Sequence, residues 1–538
     1  MSFIRKDRKG KEVYLRIVKN ERQGDKIIQK NLYSLGKLSD YTPENLQNIA
    51  KQLYLLGGGC LDDLTKMEAK EIGRYNYGCP LILRKILLLF GFDKLCAKIE
   101  KKNRINFSTF DTLLLMLCNR WLAPSSKFGI YESQADYIGL PKIELQWLYR
   151  TLDKLSDYSD EIQKIIYQSG KSLLKYSVDV VFYDVTTFYF DSSKEKEGEL
   201  RQMGFGKDGK IGKTQILLGL MIDKNRNPIG YQLYKGDTYE GHTLVDGVSK
   251  LKEKYNIGKV IFVADTGMMN KDNIENIEQA SYDYIFGERL KNLPKAVKVN
   301  LLDRSKYKTM RLNDEISGET IDIQYTVTEH KARKILCTYS EKRAAKDKAE
   351  RLARIEKAEK LLKKPQQLER KASHYFLKVR SEKEYELDQS KIEEAAKYDG
   401  LKAIACSDSA MSNDDILKSY RELYNIEHSF RTFKSFLETR PMFHWTDKRI
   451  QGHFAMCYIS FAMLNYLKQK LKQDDIECLE NKLRSTISKM EVSQLLQNKT
   501  EFYVRSNMDE YEKTLLKSLH ITPLSDIVSK DLIINYLH

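Results

Sequence analysis

Three carboxylates stand out in this chain because of the segments that lead to them. Asp184 closes the β-branched and aromatic run VDVVFYD, Asp265 closes KVIFVAD, and Glu427 sits in residues 412–441, which read as one helix. Two acids at the C-terminal ends of buried strands, with a third brought in by a helix, form an oxygen-rich donor set. Hard divalent cations that retain several waters prefer such a set. Two such ions about 4 Å apart activate an attacking oxygen and stabilise the leaving one during in-line displacement at phosphorus. Taken alone, Glu427 has a plainer reading as a solvated residue paired with Arg431 one turn on. The two aspartates are what make it a candidate ligand.

The Glu427 helix is marked at both ends. Ser412 or Asn413 can cap it, Asp414 and Asp415 occupy the first turn where the helix dipole favours acids, and Pro441 stops it. Ile426, Phe430, Phe433 and Leu437 share one face, which must pack against another element. Tyr420, Leu423, Glu427 and Lys434 make a second line, with the acid two turns before the lysine.

The aspartates need a sheet. Past residue 177 the order reads strand (VDVVFYD, then VTTFYF), hairpin (QILLGLMID and YQLYKGD around KNRNPIG), helix (TLVDGVSKLKEKY), strand (KVIFVAD) and short strand (YDYIF). KAIACS reads as a last strand before the Glu427 helix. Residues 295–400 interrupt this order with strands at KYKTMRLND, TIDIQYTV and KILCTYS and a long charged helix. From Glu341 to Ala372 twelve Lys and Arg face six acids, a net +6 that suits either a solvated face or a DNA-backbone contact. Ahead of the sheet, EVYLRIVKN and KIIQKNLYSLG read as a basic two-stranded ribbon turning at Gly24, and residues 42–170 as helices. IQGHFAMCYISFAMLNYLKQKL reads as a central buried helix, and the last sixty residues as polar and helical. Gly212, Lys213 and Thr214 imitate part of a phosphate-binding loop. Position 207 is Lys where that loop needs Gly, and the segment leads into a strand, so nucleotide binding is excluded.

At 538 residues the chain is long enough for three or four domains of roughly 150 residues. A mean hydropathy of -0.53, no run near the ~20 uncharged apolar residues of a membrane span, and an N-terminus without a signal-like apolar stretch lead to the expectation of a cytoplasmic protein. Eight cysteines and eight histidines are dispersed without zinc-type spacing. Ninety-one Lys and Arg against 75 Asp and Glu leave +16, which makes a polyanion the natural partner, although an AT-rich genome also yields a Lys-rich chain.

Taken together, several segments resemble the DDE transposases of bacterial insertion sequences, in the insertion-sequence-4-like superfamily marked by Tyr, two residues, Arg, three residues, Glu, six residues, Lys. Tyr420, Glu427 and Lys434 match that Tyr-Arg-Glu-Lys signature, and Leu423 stands in place of Arg, with Arg421 or Arg431 as substitutes. FYDVTTFYF, GFGKDGKIGKTQILLGLMID, GDTYEGHTL, VADTGMMN, FGERLK, TYSEKRAAKDKAER and RPMFHWTDKRIQGH extend the resemblance over roughly residues 170–470.

The resemblance implies an α/β fold whose RNase H-like catalytic core (retroviral-integrase-like) carries a β-containing insertion. The long separation of Asp265 from Glu427, about twice that of Asp184 from Asp265, suits it. The expected division is a basic β-ribbon over 1–41, a helical DNA-binding region over 42–172, the core over 173–294 and 399–470, the insertion over 295–398, and a helical region over 471–538. Asp184, Asp265 and Glu427 would be the catalytic residues, holding two Mg²⁺ or Mn²⁺ ions, while Tyr420, Lys434, Arg431 and Arg289 would contact DNA. The implied activity is cleavage at element ends, then attack of the freed 3′-hydroxyl on target DNA. The implied partners are double-stranded DNA, as terminal inverted repeats and as target, and a second copy in a homodimer, at the bacterial nucleoid. Asp237 reads as an extra acid with a supporting role, and Thr186, Thr187, His242 and His444 read as fold or DNA contacts. An RNase H-like nuclease without strand transfer is one alternative. A domesticated, non-catalytic DNA-binding protein is another, against which the intact trio speaks.

Overall fold

The computed structural model describes every residue except 1, 24–25, 60–68, 175–177, 192, 196–198, 205–211, 245, 248–254, 256–260, 269, 314–319, 363–374, 382–383, 440–441, 443 and 498–499. Met1–Gly73 with Gln494–Phe502 form one compact unit, and Arg74–Ser493 with Tyr503–His538 form another. In the first, β1 (Ser2–Lys9), β2 (Glu12–Gln23) and β3 (Lys26–Lys37) make an antiparallel sheet. The expected ribbon therefore gains a third strand, because the alternating FIRKDR run pairs residue for residue with β2, Phe3 opposite Val18 and Arg5 opposite Arg16. The turn assigned to Gly24 lies outside the described residues.

Among the described residues, the region expected to be helical also contains a strand, β4 (Lys70–Asn76). Six helices follow between Gly78 and Leu174. They pack around the 27-residue helix Asp447–Gln473, which is buried along most of its length, as its apolar sequence implied. Gly452 lets this helix touch the Leu145–Asp157 helix, because a Cβ there would run into the Leu152 carbonyl. Among the described residues no helix is long and apolar enough to cross a membrane, and the seven described cysteines are free.

The large sheet of the second unit includes β5 (Val180–Tyr189), β6 (Gln202–Met203), β7 (Thr214–Ile222), β8 (Pro228–Lys235), β9 (Ile261–Ala264) and β10 (Asp283–Glu288). β5 pairs antiparallel with β7, β7 with β8, and β5 and β10 lie parallel to β9 on either side of it. The order β8-β7-β5-β9-β10 is third, second, first, fourth, fifth, which is the RNase H-like arrangement. The β7–β8 turn is fixed by Asp223, whose Oδ1 accepts the Asn225 and Asn227 backbone N–H groups at 2.8 Å, with Arg226 at φ 67°. The helix expected at TLVDGVSKLKEKY falls largely outside the described residues.

The strands of residues 295–400 do not form a body of their own. β11 (Lys308–Asn313), β12 (Thr320–His330) and β13 (Arg333–Tyr339) continue the same sheet through β16 (Leu401–Cys406), which pairs antiparallel with both β13 and β10. Only β14 (Leu377–Ser381) and β15 (Glu384–Leu387) form a separate hairpin among the described residues. The charged helix runs from Glu341 to Leu362. The C-terminal region expected to be helical also contains β17 (Glu491–Gln497), β18 (Thr500–Arg505) and β19 (Ile527–Val528).

Candidate active site

Asp184 does not end its strand. VTTFYF prolongs VVFYD into a single ten-residue strand, since Val185–Tyr189 pair with Gly219–Gln215 of β7. Residues alternate across a strand. Tyr183 and Val185 join the core on one face, while Phe182 and Phe188 join the core that also receives Ile426, Phe430 and Phe433. Asp184 shares the second face, which is the face of the Glu427 helix.

Asp265 follows β9 directly, as the sequence implied. The β5–β9 register pairs Val180 with Ile261 and Phe182 with Val263. Continued by two residues, the same register pairs Asp184 with Asp265. It sets the two carboxylates side by side on strands that run ~4.8 Å apart.

Residues 412–441 are not one uninterrupted helix. Ser412 caps Asn413–Arg421, accepting the Asp415 N–H at 3.1 Å and donating to its Oδ2 at 2.6 Å. A tightened turn at Glu422 and Leu423 leads into Tyr424–Arg431, and Thr432–Phe436 close as a π turn. At the join, Asn425 bonds Glu422 and Ile426 bonds Leu423, so i→i+3 bonds replace the α pattern and the chain stays right-handed helical. Ile426, Phe430, Phe433 and Leu437 are all buried, as their spacing required. The Pro441 stop lies outside the described residues.

Asp184, Asp265 and Glu427 line one cleft of about 950 Å³, together with Tyr420, Leu423, Arg421, Lys402 and Arg343. Glu427 is exposed there, and among the described residues it makes no ion pair with Arg431, so the surface-pair reading fails. Tyr420 is only 4% exposed and donates its hydroxyl to Asp265 Oδ1 at 3.2 Å. Burial, and then the Asp265 charge, push its phenol upward. Lys402, on β16, holds its Nζ 4.5 Å above the Tyr420 ring, near Asp265 and Glu427. Burial pulls its ammonium down, as does Arg343, while those two acids pull it up. Sequence reasoning missed Lys402. The signal was one charged residue in the otherwise apolar LKAIAC.

The remaining expected contacts scatter. Arg289 lines an adjoining cleft of about 730 Å³ that shares Asp265, Arg343 and Lys402 with the first. Lys434 lies in the π turn with its Nζ 5.7 Å from the Phe188 ring and does not line the acid cleft, and neither does the exposed Arg431. Of the two arginines considered for the missing signature position, Arg421 faces the cleft. Asp237 and His242 are exposed outside it, and Thr186 and Thr187 are buried in β5.

An all-carboxylate donor set suits a hard divalent cation. Among the described residues no group of three or more His, Cys, Asp or Glu is already gathered closely enough to hold a metal ion. Lys402 adds positive charge to the same cleft.

A family model described as "Transposase DDE domain" matches residues 177–463, just over half of the chain. Among solved structures, the piggyBac transposase synaptic complex with hairpin DNA is similar at 8% identity and a TM-score of 0.36, over 76% of this chain and 77% of that one. The Mos1 transposase paired-end complex with left transposon end is similar at 15% identity and a TM-score of 0.15, over 33% of this chain and 58% of that one. No curated protein matches. At these TM-scores the fold assignment rests on the strand order of the sheet.

Proposed function

From the premise that this chain belongs to the family of transposase DDE domains, and is therefore a DNA-cleaving and strand-transferring enzyme, we propose that Asp184, Asp265 and Glu427 are its catalytic acids. The observation that carries this reading is the β5–β9 register, which, continued past Phe182 and Val263, aligns the two aspartates on adjacent parallel strands, with Glu427 on the wall of the same cleft. The three carboxylates would hold divalent cations, Mg²⁺ or Mn²⁺ and two in number. Bound there, such ions supply Lewis acidity to the oxygens entering and leaving phosphorus. The protein's own groups do the placing. Tyr420 orients Asp265 through its hydroxyl, and Lys402, Arg343 and Arg421 set a positive rim against which a DNA backbone can lie. Arg289 extends that rim into the adjoining cleft.

The finer assignment is to the insertion-sequence-4-like superfamily, supported by Tyr420, Glu427 and Lys434 at the signature spacing, with Arg421 offering the guanidinium that Leu423 lacks. The partners are the terminal inverted repeats of its own element and a target duplex, brought together by a homodimer at the bacterial nucleoid. Lys434 and Arg431, which lie off the cleft, would touch end DNA beyond the reacting phosphate.

Replacing any one of the acids, as Asp184→Ala, Asp265→Ala or Glu427→Ala, is expected to abolish Mg²⁺-dependent cleavage of the terminal repeats while leaving end binding in a gel-shift assay within about twofold. Full cleavage by any of the three variants would remove that residue from the site.

A further inference from the structure

A separate cleft of the larger unit, of about 540 Å³, is lined by Arg120, Lys127, His444, Trp445, Arg449 and His453. Among the described residues neither Arg120 nor Lys127 makes an ion pair. Lys127 is 3% exposed and Arg120 4%. The Lys127 side chain makes no hydrogen bond with any described residue. Arg120 donates Nη1 to the Leu437 and Glu438 carbonyls at 3.0 and 3.3 Å and leaves its Nε unpartnered. His453 leaves its Nδ1 unpartnered, and its ring lies 5.1 Å from that of His444. Arg449 is neutralised by Asp153 at 3.6 Å, and Glu438 on the rim is exposed and stands by Arg484.

Buried charge without a partner is strongly unfavourable. Its mark is visible here, since burial and then the neighbouring Arg120 push the Lys127 ammonium down to about 7, and burial and then Lys127 push His444 down to about 3. Two buried cations and an open imidazole nitrogen around one hole are what a tetrahedral oxyanion would satisfy. The mouth carries Trp445, 57% exposed, with Arg201 4.5 Å from its ring centroid, an aromatic face on which a base can stack.

We propose that this cleft is a phosphate subsite, taking one phosphate group between Arg120 and Lys127 with His453 beside it. Two sources share that chemistry, a DNA backbone and free inorganic phosphate. The DNA source rests on the transposase reading; the free-phosphate source does not. Position suits DNA, because Phe190, just past the end of β5 and six residues beyond Asp184, bridges to Met442 of the cleft. That is ~20 Å at ~3.3 Å per residue, or about six base-pair steps from the acids.

The test uses the full chain as wild type, Lys127→Met and Arg120→Gln, with Lys271→Met, 85% exposed, as control. Thermal unfolding in inorganic phosphate is compared with chloride at equal ionic strength, and end-DNA binding is measured over a salt series. Phosphate is expected to raise the wild-type and Lys271→Met midpoints by several degrees. Lys127→Met should start from a higher midpoint in chloride, its buried charge removed, and lose the phosphate response. Arg120→Gln should lose the response as well, which gives a second reading should Lys127→Met fail to fold. If the slope of log K against log salt also becomes shallower by about one, the phosphate comes from DNA. An unchanged slope with the response lost assigns the site to free phosphate. A response that survives both substitutions overturns the proposal, and so does a wild-type protein without any response whose DNA slope is the same as that of Lys127→Met. These outcomes are independent of cleavage by the acid trio.

Discussion

Lys402 occupies the place where charge is most consequential. Burial pulls its ammonium down, and Asp265 and Glu427, which draw it up, are the acids it stands beside as a counter-ion. A divalent cation entering the cleft meets a like charge there. Lys402→Met is therefore expected to tighten Mg²⁺ or Mn²⁺ binding to the DNA-free protein about tenfold, ~1.4 kcal/mol, read by calorimetry and again as a lower half-saturating Mg²⁺ concentration for cleavage. Weaker metal binding in that variant would show that Lys402 supports the acids instead of opposing the metal. Residue identities at this site were legible to different degrees. Asp184, Asp265 and Glu427 could be read from the runs around them, because strands and helices carry their own periodicity. That Tyr420 turns its hydroxyl to Asp265 could not, since its partner is 155 residues away.

Elements bring these groups together through small allowances in the backbone. Gly287 in β10 is one: a Cβ there would collide with the Thr266 hydroxyl and the Tyr420 hydroxyl, so its absence lets the Asn413–Arg421 helix close over the end of β9. The sequence shows FGERLK without giving a reason for its glycine. Gly287→Ala is expected to fold, with a loss of about 1–3 kcal/mol from overpacking. Because a misplacement of about 1 Å costs on the order of 10²-fold in rate, cleavage should fall by about that factor. A denaturant titration checks the first expectation and a cleavage time course the second; wild-type cleavage with Ala at 287 would mean the Tyr420 contact does not position Asp265. Strands of the core were legible because aromatic and β-branched runs mark them. The extent of β5 was not, since its second half becomes a strand only through pairing with β7. The 412–441 segment was legible as helical, but the break at Leu423 is set by packing and leaves no mark in local propensity.

At the scale of the molecule, the sheet unites what the sequence separates. Residues 295–398 read as an insertion because they interrupt the strand order and the resemblance implies one there, yet β13 and β16 pair with each other and β16 with β10, placing the inserted strands in the sheet that carries Asp184 and Asp265. Pairing order is a long-range property with no local signature, so the strands at KYKTMRLND, TIDIQYTV and KILCTYS could be read from the sequence while their place in the sheet could not. A shared sheet has a consequence for cooperativity. Strands buried on both faces and bonded on both edges open only when the whole unit opens, whereas a separately folded insertion would open alone at lower free energy. Ile335, Leu336 and Cys337 of β13 and Ala403–Cys406 of β16 are as buried as Ile216–Leu220 of β7. Hydrogen exchange on the full chain, read by mass spectrometry of peptides spanning Arg333–Tyr339 and Leu401–Cys406, is therefore expected to fall in the same slowest class as Thr214–Ile222. The β14–β15 hairpin, outside that sheet, should exchange earlier. Fast exchange of β13 and β16 together, with β7 still protected, would instead make the insertion a unit that opens without disturbing the acids.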